Sequence, residues 1–155
     1  MPIPHARRMN LIALVLLVTA LIAFVTFHFL PMYHLPMADN RHGWTVWIDM
    51  SYYARSMTAS NSQLENILLS GLLAFAPLVS CAPFLVPVLR VSRLSWWLAV
   101  VTSGLTFTGS GGVLLLWMGR AGVMPGPAFV CLLASLSLNF LGLLFIRREQ
   151  APDLP

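Results

Sequence analysis

Four apolar stretches separated by polar connections organise this chain. Residues Asn10 to Ala38, Asn66 to Leu89, Leu94 to Gly119 and Ala121 to Ile146 contain no Arg, Lys, Asp or Glu. Each is long enough to cross a bilayer, which takes roughly 20 apolar residues at about 1.5 Å rise per residue. An ionised side chain at the bilayer centre costs several kcal/mol at least, so the exclusion of charge is a physical signature of a polytopic membrane protein. The pattern predicts an all-α membrane protein, a single domain over 1–155. It is a four-helix transmembrane bundle with spans at about 10–30, 66–89, 95–118 and 127–146, and a long outer loop, 31–65, between helices 1 and 2.

Local signals refine this plan. Arg7-Arg8 precede an apolar core of about 20 residues, too long for a secretory signal, so the first span reads as an uncleaved signal anchor. The loop is hydrophilic and long for a structureless connection, which marks it as a carrier of function or of its own secondary structure. Thr45-Val46-Trp47-Ile48 is β-prone and predicts a short strand near Trp44 to Met50. Tyr52 to Leu64 suits a surface helix, with Ser60 or Asn61 as an N-cap before Glu65. Pro77, Pro83 and Pro87 each remove a backbone donor and disfavour a straight second span. Gly119, Gly122, Pro125, Gly126 and Pro127 predict a tight turn before the fourth.

Charge adds orientation. Only 9% of residues are charged, against about 25% in soluble domains. The pI near 9.8 does not point to nucleic acid, because the nine arginines are scattered without a basic stripe. Arg7, Arg8, Arg90, Arg93, Arg147 and Arg148 flank one side, and Arg41, Arg55 and Arg120 the other. The positive-inside bias therefore places both termini in the cytoplasm. Trp96 and Trp97 then lie at the inner interface, and Trp117, Trp44, Trp47, Tyr52 and Tyr53 at or beyond the outer one. The chain has no lysine, which fits codon bias in a GC-rich bacterium and hence a bacterial cytoplasmic membrane. Cys81 and Cys131 form no CxxC. Their depths along two descending spans differ by ~16 Å, too far for a disulfide, so both read as buried thiols.

Candidate chemistry is sparse. In the outer loop His34, Asp39 and His42, with His28 just below, are the residue types that hold a divalent metal, but the spacing matches no ligand signature. A haem between helices needs facing histidines at membrane depth, and His28 alone comes near. No cofactor is therefore assigned. Trp44, Trp47, Tyr52 and Tyr53 with Arg41 and Arg55 have the composition of a partner-binding patch, or of an interfacial belt. Gly104, Thr108 and Gly112 recur every four residues and predict a close-packed seam on the third span. Asn139 is the one strongly polar side chain within the last three spans and reads as a hydrogen bond to a neighbouring helix. Thr108-Gly109-Ser110-Gly111-Gly112 lacks the lysine and preceding strand of a phosphate loop.

The string Ala59 to Ile67, with Asn61 and Glu65, superficially resembles the segment before the second span of the membrane-associated glutathione-conjugating and eicosanoid enzymes. Asn and Glu stand four apart rather than three, no tyrosine follows Tyr53, and the charge bias puts the segment on the other side, so that assignment is not adopted. The layout of a long first outer loop and a tight second one resembles claudin-type four-span proteins in plan, without their paired loop cysteines. The expectation is a non-enzymatic accessory or scaffold subunit, partnered by the lipid bilayer and by other membrane subunits or itself. Alternatives are a transport or channel component using the proline-broken span, and a membrane enzyme or metal or haem protein using the loop.

Overall fold

The computed structural model describes residues 5–34, 42–48, 74–121 and 124–146. In order the elements are α1 (His5–Phe27), β1 (Tyr33–His34), α2 (45–48), α3 (Ala74–Ser80), α4 (Ala82–Val91), α5 (Arg93–Ala121), β2 (Met124–Pro125) and α6 (Pro127–Phe145). Two helices are long and apolar enough to cross a membrane: α1, with mean hydropathy 2.6 over Asn10–Phe27, and α6, with 2.2. The pair α3 and α4 bends by 67° at one residue and makes a third if taken as one broken span. Their outward surfaces fit this reading. Along α1, Leu11, Val15, Val18, Ile22 and Val25 are exposed at helical spacing, and Phe29 just past its end extends this apolar stripe, which water would not tolerate. The chain is a membrane protein.

The tightest seam joins α1 to α6. The two run antiparallel, and Gly142 lies so close to α1 that a Cβ there would stand 2.8 Å from Leu17 Cγ. Ser135 donates from its hydroxyl to the Ala20 carbonyl across the same seam, at 2.8 Å. Small residues let helix backbones approach where lipid offers no hydrophobic drive, and dispersion and hydrogen bonding hold them. Helix α5 packs on the other flank of α6. Trp96 Nε1 donates to the Leu143 carbonyl near the end of α6, which also accepts the amide of the C-cap residue Ile146. Ser92 links α4 to α5 in one residue. Its amide closes α4 on Val88, while its hydroxyl accepts the Ser95 amide as the N-cap of α5.

The seam expected at Gly104, Thr108 and Gly112 is corrected. A Cβ at Gly104 would meet Phe140 at 3.1 Å, but one at Gly112 meets nothing within 4 Å among the described residues, and Thr108 is exposed. The tight partner of Gly104 is Gly111, whose Cβ would stand 3.0 Å from Leu133. With 3.6 residues per turn, a step of four overshoots by about 40°, so two steps carry Gly112 about 80° away; a step of seven returns to within about 20°.

Three further expectations change. Residues 45–48 form a helical turn, not a strand. The Thr45 amide and hydroxyl both bond the His42 carbonyl, and the Val46 and Trp47 amides bond Gly43 and Trp44, so the backbone donors are used locally and β propensity is overridden. Helix α5 continues to Ala121, through the first part of the predicted turn. Cys81 is exposed at the bend between α3 and α4, not buried; it and Cys131 are both free thiols.

Candidate functional site

Two places concentrate polar and aromatic chemistry: a cap at the end of α1, and a polar layer halfway along the helices.

The cap follows from an end effect. A helix leaves its last four carbonyls unsatisfied, and α1 has no C-terminal glycine to turn back on itself. The amides of His28 and Phe29 close back on Val25 and Thr26, and residues 42–44 bond the three carbonyls that follow the helix. The Trp44 amide bonds the His28 carbonyl at 3.3 Å, the Gly43 amide bonds Leu30 at 2.9 Å, and the His42 ring Nδ1 reaches the Phe29 carbonyl at 3.1 Å. The approach is so close that a Cβ at Gly43 would fall 2.0 Å from the Phe27 carbonyl oxygen, so only glycine fits. β1 pairs antiparallel with β2, Tyr33 with Pro125 and His34 with Met124, and the Gly126 and Ala128 amides bond the Met32 and Pro31 carbonyls. The cap thus ties the segment after α1 to the α5–α6 turn.

His28 and Trp47 lock this cap. His28 Nδ1 donates to the Phe24 carbonyl at 2.8 Å, leaving Nε2 as the acceptor, and Trp47 Nε1 donates to it at 2.9 Å. Both ring nitrogens are therefore occupied, and the neutral Nδ1–H tautomer is the one that satisfies both bonds. Phe24 and Phe27 sit edge-on to His28, with centroids at 5.0 and 4.9 Å. His28 has no free nitrogen for a metal or haem. Among the described residues no three His, Cys, Asp or Glu side chains gather to hold a metal. Of the loop histidines, His42 spends Nδ1 on Phe29, His34 contributes backbone pairing, and Asp39 lies outside the described residues.

The predicted docking aromatics separate. Trp47 is half-buried against Phe24, Phe27 and His28, and is part of the packing. Trp44 is 48% exposed. Phe29, Ile48 and Met124 are also exposed, each on a different segment of the cap. Arg41, Arg55, Tyr52 and Tyr53 lie outside the described residues.

The second place divides the core. One apolar cluster, including Phe24, Phe27, Met32, Ala76, Leu132 and Leu136, lies toward the cap; the other, including Ala13, Leu17, Leu89, Val100 and Leu143, lies toward the opposite end. Between them come polar groups: the Ala20 carbonyl on α1, the Val79 carbonyl and Ser80 on α3, Ser103 on α5 and Asn139 on α6, with Ser135 at the edge of the cap-side cluster. Ser80, Ser103, Ser135 and Asn139 are all buried. The cause of the layer is legible in α3–α4. Pro83 has no N–H to return to Val79, four residues earlier, so the Val79 carbonyl loses its helical donor and the chain bends at Cys81. Asn139 Nδ2 donates to that carbonyl from α6. Its other amide atom, Oδ1, and the Ser103 and Ser110 hydroxyl oxygens are buried without a partner among the described residues.

Comparison with protein-family models, with curated proteins and with solved structures finds no match. Function must be argued from these two places. Sequence reasoning missed the His28–Trp47 pair, because nothing in their spacing of nineteen residues marks a contact. It missed the polar layer although the signal was present: a proline four residues after an apolar carbonyl calls for an outside donor, and Asn139 was the strongest one in the opposing spans.

Proposed function

We propose that the protein is a small integral membrane accessory subunit that docks a larger membrane protein through its cap. The full architecture in this reading is a four-span bundle with both termini cytoplasmic, in a bacterial cytoplasmic membrane. Helix α5, 29 residues long, is the third span, at about 43 Å ample for a bilayer; α3–α4 is the second. The six-against-three arginine distribution sets the orientation.

The observation that carries the docking reading is the exposure of Trp44, Phe29, Ile48 and Met124 together on a cap whose backbone is pinned by hydrogen bonds to α1 and the α5–α6 turn. A rigid platform with an exposed tryptophan loses little entropy on binding and offers the residue type that dominates interface energetics. Trp44→Ala removes that anchor without touching the cap's internal bonds. Size-exclusion chromatography of native membranes in mild detergent should show the wild-type chain eluting within a larger assembly and the Trp44→Ala chain released from it. An equal elution volume for both chains sinks the docking reading. A transport component, built on the α3–α4 break, then becomes the better account.

A further inference from the structure

The polar layer has unsatisfied chemistry of one kind. Asn139 is 1% exposed and Ser103 0% exposed, yet Asn139 Oδ1 and Ser103 Oγ find no hydrogen-bond partner among the described residues. Buried polar atoms in folded proteins are nearly always paired with protein, with water or with an ion. The two residues come to the same level, since Gly104 of α5 meets Phe140 of α6 directly. The Val79 carbonyl reaches this level through Asn139, at the open C-terminal end of α3. Ser110 lies seven residues further along α5, about 10 Å away, and does not belong to this group.

The donor set restricts the ligand. Every available atom is a neutral oxygen: an amide oxygen, a hydroxyl and a backbone carbonyl. No Asp, Glu, Arg or Lys occurs in the four stretches that carry the layer. A divalent cation of the calcium or magnesium class draws on carboxylates, and an anion wants N–H donors or positive charge. A monovalent alkali cation takes neutral oxygens, and the C-terminal end of a broken half-helix adds a partial negative charge that favours it. We propose that the layer at the α3–α4 break binds one alkali-metal cation, coordinated by Asn139 Oδ1, Ser103 Oγ and the Val79 carbonyl. The site stands apart from the cap and does not depend on docking.

Thermal unfolding of the purified full-length protein in detergent tests it, in NaCl and in KCl, each against choline chloride at equal ionic strength. At least one alkali chloride should raise Tm saturably over choline, as a ligand of the folded state must. Ser103→Ala should raise the half-saturating salt concentration at least tenfold. Its Tm in choline should match or exceed that of wild type, because the variant removes an unpaired buried hydroxyl. Thr108→Ala, on the exposed face of the same helix, should bind as wild type. Identical Tm values for wild type in all three salts, or a Ser103→Ala response equal to wild type, would overturn the site and leave buried water as the occupant.

Discussion

The side-chain amide of Asn139 bonds the carbonyl of Val79, four residues before Pro83. A residue on α6 thus makes the hydrogen bond that a proline in α4 cannot make. The break in the second apolar segment is held by tertiary structure rather than being a local defect.

That relationship can be measured by a double-mutant cycle. Asn139→Leu leaves a buried carbonyl unpaired and should cost about 1–3 kcal/mol. In a Pro83→Ala background the helix regains its own donor, and the same Asn139→Leu change should cost less. Unfolding of the four chains in one detergent gives the coupling energy. A coupling within error of zero would mean that Asn139 and Pro83 act independently.

The corrected seam on α5 makes the opposite prediction for two glycines eight residues apart. Gly104→Leu forces a side chain into Phe140, and Gly111→Leu forces one into Leu133. Each should destabilise by about 1–3 kcal/mol through overpacking. Gly112→Leu meets no described neighbour and should change stability by no more than about 0.5 kcal/mol, as surface changes do. Equal losses at Gly104 and Gly112 in a detergent melt would restore the four-residue seam.

Gly43 is the most sensitive position in the cap. Gly43→Ala puts a Cβ against the Phe27 carbonyl, and backbone cannot yield there as a flexible side chain can. The 42–44 segment should lift from α1 while the spans stay inserted. Limited proteolysis should then cut within 35–48 much faster than in wild type, with membrane fractionation unchanged. Unaltered cleavage would show that the cap tolerates the added methyl.

Trp47→Phe tests the lock on His28. The ring still fills the space against Phe24 and Phe27, but the donor to His28 Nε2 is gone. The expected loss is about 1 kcal/mol, the usual net worth of one hydrogen bond, read by thermal unfolding. Trp44→Phe, on the exposed side of the same turn, should lose nothing measurable.

Orientation is tested separately. In a cysteine-free chain, a single cysteine replacing Ser60 should react with an impermeant maleimide added to intact cells, and one replacing Gln150 should not. Labelling of position 150 from outside would invert the proposed topology.

The sequence by itself determined that this is a helical membrane protein, because charge exclusion and hydropathy depend on composition along the chain and need no partner. It also marked two places where helices stop: the prolines near Cys81 and the Gly126-Pro127 pair act on their own backbone. What only the tertiary structure decided is which face of each helix is inside. Spacing alone made Gly104, Thr108 and Gly112 one row, but the choice between a step of four and a step of seven rests on where α6 lies. Likewise, Thr45 to Ile48 turn helical on residues 42–44, which are themselves seated against the carbonyls that follow α1. Nothing local says that Trp47 will reach back to His28, or that Asn139 will find Val79. Those bonds form between segments far apart in sequence, and the physics that selects them is the need of each buried polar group for a partner that its own helix cannot supply.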